Sequence, residues 1–284
     1  MADKSSIEWL WMPGYTGASW NPLRGQKGNW YCTKVSPGCL NCYAERLNMR
    51  FGGPAYKVGR DDIRLDEDIL TKPLRWKKPR MIFVNSMSDT FHETVTFDML
   101  YKMFEVMADK RCAHHLFLVL TKRPEEMIQF HEKLWRLPAN TDSDLIRNYH
   151  GAGNFGENIW LGVSAEDQIR WENRVPSLLR LYPKVRFISV EPMLGKIEPT
   201  IQELEQLHWV IIGGESGANA RKMELEWVRS LVDDCFKVNV PVFVKQLGTG
   251  YTYWTAQDSK GSDMSRWSED LRIREFPTGT INYY

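Results

Sequence analysis

Six short apolar runs, each ending in polar residues, constrain the fold of this chain more than any other feature. They read MIFVNSMSD (81–89), LFLVLTKRP (116–124), NIWLGVSAE (158–166), VRFISVEPM (185–193), WVIIGGES (209–216) and VPVFVKQLG (240–248). Amphipathic helical patterns lie between them, clearest at 97–110, 124–136, 166–181 and 224–238. A strand apolar on both faces has to be covered on both, and a helical crossover brings the next strand in parallel to the last. A further short strand is expected within residues 5–23, ending at Trp20, Asn21 and Pro22. About seven β/α units result, and no strand is followed by a G-x-G-x-x-G turn. The pattern predicts an α/β fold, a full or partial TIM-type (β/α) barrel with parallel strands and outer helices, rather than a doubly wound sheet.

Barrels of this kind present their reactive groups at the C-terminal ends of the strands. Those ends carry Asn85, Ser86, Ser88 and Asp89; Thr121, Lys122 and Arg123; Ser164 and Glu166; Glu191; Glu215 and Ser216; Lys245 and Gln246. Each taken singly can be a cap or a structural ion pair. Six strands ending this way point to a site.

The loop after the first strand adds a metal-binding pattern to the same edge. Residues 30–46, WYCTKVSPGCLNCYAER, place Cys32, Cys39 and Cys42 within eleven residues at Cys-x6-Cys-x2-Cys spacing. Three thiolates can hold three irons of a 4Fe–4S cluster and leave the fourth iron open. A disulfide with a spare thiol, a structural zinc and three buried structural thiols are the other readings. An odd total of five cysteines and no secretory signal weigh against the first. Cys-x2-Cys is half a zinc site, no His follows at finger spacing, and Cys112 and Cys235 sit far downstream in helical patterns. Ser36, Pro37, Gly38 and Asn41 make the loop a poor place to bury three thiols. The six histidines form no H-x3-H or H-E-x-x-H pair. After Cys42, YAERLNMRF has helical spacing and meets Gly52, Gly53 and Pro54. A helix starting there aims its first amides at an anionic metal centre.

The string CTKVSPGCLNCYAERL, with SIEW and WNP before it and NSMSD, TKRP, VSAE, VEPM, GGES and VKQLG after it, resembles a phage-associated family of unknown function in the radical S-adenosylmethionine (SAM) superfamily, over roughly residues 5–248. The superfamily's usual spacing is Cys-x3-Cys-x2-Cys; the wider first gap and Asn41 before the last cysteine are typical of this family. The resemblance implies an enzyme with a 4Fe–4S cluster on Cys32, Cys39 and Cys42 that cleaves SAM to a 5′-deoxyadenosyl radical. Rim position and superfamily similarity assign Ser86, Ser88 and Asp89 to the SAM amino group, Lys122 or Arg123 to its carboxylate, and Ser164 and Glu166 to the ribose. Glu191, Glu215 and Lys245 are left as catalytic residues for substrate or for a proton or radical relay. Gly213 and Gly214 are expected to let the backbone approach a ligand closely. The resemblance also implies an external electron donor, flavodoxin-like or ferredoxin-like, and a nucleotide or modified base in phage DNA as substrate. Photoproduct-lyase-like DNA repair is a sister chemistry. The rival class is a non-enzymatic barrel that binds zinc or an Fe–S cluster together with nucleic acid.

A net charge of +1 means that nucleic-acid binding needs a local patch, and RWKKPR (75–80) is the densest basic cluster. The 12 Trp are core or loop anchors first, though such rings also stack bases. At 284 residues the chain is read as one domain, 1–284. Within it lie the cysteine loop 30–46, a polar Gly-rich insert at about 136–157 read as a lid or a binding element, and a C-terminal extension at about 249–284 read as covering an end of the barrel. No apolar run approaches the roughly 20 residues of a spanning helix, and MADKSSIEW is not a signal peptide, so a cytoplasmic protein with no membrane partner is expected.

Overall fold

The computed structural model of the chain describes residues 4–56, 63–251 and 258–277. Seven strands form one sheet in chain order: β1 (Thr16–Trp20), β2 (Arg80–Val84), β3 (Leu116–Thr121), β4 (Ile159–Ser164), β5 (Arg186–Val190), β6 (Trp209–Gly213) and β7 (Val242–Gln246). The helices of eight residues or more between them are α1 (Tyr43–Arg50), α2 (Phe97–Ala108), α3 (Pro124–Trp135), α4 (Asp144–Ala152), α5 (Gln168–Leu179) and α6 (Leu225–Lys237). The alternation read from the sequence is therefore the alternation found, within a residue or two at α2, α3, α5 and α6.

The chain divides into two compact units. One comprises residues 1–35, 44–161 and 180–184, the other 36–43, 162–179 and 185–284. In the first, β1 pairs parallel with β2 (Thr16 opposite Arg80, Trp20 opposite Val84) and β2 with β3 (Met81 opposite Leu116). Strands β2 and β3 are buried along most of their length, and α2 and α3 each bury an apolar stripe. Phe104 and Phe130 (ring centroids 4.8 Å apart) and Phe155 (5.3 Å from Phe104) form the aromatic centre of this unit. Thr96 caps α2 by accepting from Met99 N (3.3 Å), and α3 begins on Pro124, whose missing N–H costs nothing at that position.

The insert at 136–157 is helical in its middle and not polar throughout. Residues 144–152 are helical, Ser143 caps them by accepting from Ile146 N (3.3 Å), and Leu145, Ile146 and Tyr149 are fully buried beside α2 and α3. The Asn and Gly residues around a nine-residue helix hid an apolar face of three side chains.

In the second unit, β5 pairs with β6 (Phe187 opposite Trp209) and β6 with β7 (Val210 opposite Val242), with a register shift at Gly213. The C-terminal extension joins this sheet at its edge. Val244 N donates to Ile273 O (2.9 Å) and Glu275 N to Val242 O (2.8 Å), while Phe276 packs 5.6 Å from the Trp209 ring. These residues satisfy the outer edge of β7, which is what a parallel edge strand needs. Tyr253 and Trp254 of that extension lie outside the described residues. No described helix is long and apolar enough to cross a membrane.

Candidate functional site

The cysteine segment is held separately by each unit. In the first, the anchor is Arg123, 7% exposed, at the end of β3. Its Nε donates to Glu93 Oε2 (2.8 Å), Nη1 to Asp89 Oδ2 (3.1 Å) and toward Cys32 Sγ (3.9 Å), and Nη2 to Thr33 O (3.1 Å) and Thr33 Oγ1 (2.6 Å). Burial opposes the charge on this guanidinium, but Asp89, Cys32 and Glu93 outweigh it and hold Arg123 above its usual pKa. Asp89 is equally committed. Besides Arg123 it accepts from Thr121 Oγ1 (2.7 Å), Phe91 N (2.9 Å) and Lys122 N (3.0 Å).

His92 completes this network, 2% exposed. Thr94 N donates to its Nδ1 (3.2 Å), so the proton of the neutral ring sits on Nε2, 3.1 Å from Thr33 Oγ1. Burial first, and Arg123 second, push His92 below its ordinary pKa and keep it neutral. The Thr33 hydroxyl donates to Glu93 Oε1 (3.1 Å). Thr33 is thus gripped by three side chains, and Cys32 is the residue beside it.

The second unit holds residues 36–43. Gly38 N donates to Glu166 Oε1 (3.0 Å), and Arg174 Nη1 pairs with Glu166 Oε2 (2.9 Å) and with Ser164 O (2.8 Å). A Cβ on Gly38 would lie 3.0 Å from the Glu166 carboxyl carbon, so a side chain there crowds the contact. Asn41 Nδ2 donates to Glu215 Oε2 (2.9 Å) and to Asn219 O (3.0 Å). Arg221 forks onto both Glu215 oxygens and reaches Pro37 O (3.0 Å). Burial works against ionisation of Glu215, but the Arg221 and Asn41 hydrogen bonds prevail and hold it below the usual carboxylate range.

The strand-end residues therefore divide by role. Asp89, Arg123, Glu166 and Glu215, expected to touch cofactor or substrate, spend their hydrogen-bonding capacity on the chain itself. Ser86 is tied to Asn21 at the exit of β1 (3.3 Å). Lys122 is half-buried, and Ser164 is buried with its carbonyl taken by Arg174. Ser88 differs: its hydroxyl is buried and has no hydrogen-bond partner among the described residues. Lys245 Nζ lies 2.8 Å from Glu191 Oε1, with Ser189 Oγ donating to Glu191 Oε2 (3.3 Å). The bonds of this pair run to each other and to Ser189. Gly213 and Gly214 do make close approaches, but to the chain's own atoms. A Cβ would meet Glu191 Oε1 at 2.8 Å from Gly213 and Leu247 O at 2.3 Å from Gly214.

Thr33, His92, Glu93, Arg174 and Arg221 were not singled out in the sequence, and Asn41 was noted only for its place in the cysteine loop. Arg174 and Arg221 read as ordinary surface positions of an amphipathic helix and a polar loop. Only the fold reveals that each neutralises a buried strand-end glutamate.

All five thiols are free. Cys112 and Cys235 are fully buried, and burial pushes both thiols up to about 12, so they are neutral packing groups. Cys112 precedes β3 whereas Arg123 and Cys32 sit beyond its far end, roughly 20 Å away for six residues of strand. It cannot be a fourth ligand. Among the described residues, no group of three or more His, Cys, Asp and Glu converges as the ligands of a single ion would. A four-iron cluster asks for something else: soft thiolates, each on a different iron and so spread apart. Three partly exposed thiols on one loop are that donor set.

Among known proteins, the family described as "Protein of unknown function (DUF5131)" matches residues 4–276. No curated protein and no solved structure matches the chain.

Proposed function

Because the chain belongs to the DUF5131 family, whose description assigns no activity, we propose its function from the site: a radical SAM enzyme on a partial TIM-type barrel, with Cys32, Cys39 and Cys42 as ligands of a 4Fe–4S cluster. One observation carries this reading. No residue from Lys34 to Tyr43 is buried, yet this segment and its approach are fixed by Arg123, Glu166 and Glu215, all buried and charged. Burying charges costs several kcal/mol each unless they are fully paired. A surface loop that contributes nothing to the core has no stability need for that investment, whereas three thiols that must keep a set spacing do.

When bound, a cluster with one open iron supplies the electron that cleaves SAM and begins hydrogen abstraction. The chain's own residues do the rest. Arg123 sets positive charge against the Cys32 sulfur, which favours the anionic ligand. Glu166 holds the backbone amide before Cys39, and Glu215 holds the Asn41 side chain after it. Ser88, with hydrogen-bonding capacity to spare, is assigned to the SAM amino group in place of the saturated Asp89. Lys245 and Glu191, the strand-end pair uncommitted to the loop, are assigned to substrate: Lys245 to bind or protonate it, Glu191 to accept a proton. The substrate class, a nucleotide or modified base, follows from the family resemblance.

The test is anaerobic purification, reconstitution with iron and sulfide, and EPR of the reduced protein with and without SAM. About four irons per chain and a signal that shifts with SAM are expected. Zinc, or a cluster indifferent to SAM, would overturn the radical mechanism and leave a metal-binding module.

A further inference from the structure

The basic segment RWKKPR takes no part in that site. It precedes β2 and so stands at the opposite end of the strand from Ser86, Ser88 and Asp89. It is not alone there. A one-turn helix ending at Arg75 packs against another at Lys110–Cys112, because Met81 of β2 lies opposite Leu116 of β3 and the segments ahead of the two strands share an edge. His114 Nε2 lies 3.0 Å from Trp76 O and His115 Nε2 3.3 Å from Pro73 O, which binds the two segments together.

Arg75, Lys77, Lys78 and Lys110 are all exposed on this edge, and none forms an ion pair among the described residues. Arg75 only reaches the Asp68 carbonyl (3.4 Å). Asp109, beside Lys110, is consumed by Arg111 (2.6 Å), and Asp68, beside Arg75, forms no ion pair among the described residues. In a chain of net charge +1 this is a concentration of unneutralised cations, which repel one another unless something anionic covers them.

The edge offers little apolar surface. Trp76 is half-buried with the Arg80 guanidinium 4.5 Å over its ring, and the exposed Trp11, beside Gly17 opposite Met81, has its indole N–H bonded to Ser5 O. A protein partner needs an apolar interface centre, and stable seating on a membrane needs inserted side chains or a lipid chain beside the charges. Phosphates along a nucleic-acid backbone need neither. We propose that Arg75, Lys77, Lys78 and Lys110 form a phosphate-backbone-binding surface for nucleic acid, on the edge of β2 and β3 opposite the cysteine segment.

The test is fluorescence anisotropy of a labelled DNA duplex with the full chain over a salt series. It is run with and without iron reconstitution, so that failure here is separate from failure of the cluster reading. Four neutralised phosphates predict a log–log slope of binding against salt of about −3.6, with little dependence on sequence. The double variant Lys77→Ala/Lys78→Ala should flatten the slope by about 2, whereas Lys196→Ala, paired with Glu198 elsewhere, leaves it unchanged. Thermal unfolding checks that the exposed substitutions preserve the fold. No binding, a slope the double variant does not change, or equal binding to phosphatidylserine vesicles would overturn the proposal.

Discussion

Arg123 is the residue on which most of the first unit's polar network depends. Its removal leaves Asp89 and Glu93 without their cation, Asp89 in a buried position. Arg123→Met should destabilise the protein by about 3–5 kcal/mol, measured by urea denaturation, and Arg123→Lys should rescue only part of this because an ammonium cannot fork to five acceptors. Glu215 provides the pH dependence. Its pKa is depressed in the folded state, so its contribution is complete above the unfolded carboxylate value of about 4.3 and is lost as pH falls through the lower folded value. Glu215→Gln should flatten stability against pH in that acid window, and should make residues 36–43 more susceptible to limited proteolysis at neutral pH. From the sequence, these residues were visible as polar strand ends. Their partners were not, because Arg174 and Arg221 are brought to them by turns that no local pattern encodes.

At the scale of elements, the β6–β7 pairing depends on a missing side chain. Gly214→Ala would drive a Cβ to 2.3 Å of the Leu247 carbonyl, within a contact of backbone against backbone. It should cost about 1–3 kcal/mol or more, read as a lowered midpoint of thermal unfolding. Gly195→Ala, whose Cβ would sit 3.5 Å from the Asp167 side chain, should be tolerated. The extension makes a second prediction. Truncation after Arg272 removes the residues that bond to Val242 and Val244 and bares the edge of β7. The shortened chain should aggregate in a concentration-dependent way, followed by light scattering. The long helices and the strands were legible because apolar periods of 3.6 and near-continuous apolar runs announce them. Helix α4 was not, since its buried face rests on three residues amid polar ones, and neither was the edge role of Ile273 and Glu275, which is set by hydrogen bonds and not by side-chain pattern.

Across the whole molecule, the cysteines separate into two kinds by environment. Cys32, Cys39 and Cys42 are partly exposed, and Cys112 and Cys235 are sealed in the core. Single alanine substitutions at the first three should each lower the iron retained after reconstitution, while Cys112→Ala should keep it and lose stability instead, an outcome read by pairing iron analysis with thermal unfolding. The seven-strand parallel order, the helices between the strands and the grouping of polar residues at strand ends were all determined by the sequence alone, because hydrophobic period and chain connectivity are local properties that a reader can count. Which strand-end charges are committed to the chain itself was decided only by the tertiary structure. A carboxylate's role depends on what lies within about 3 Å of it, and Gly38, Asn41, Arg174 and Arg221 reach Glu166 and Glu215 from positions that the order of residues along the chain does not bring together.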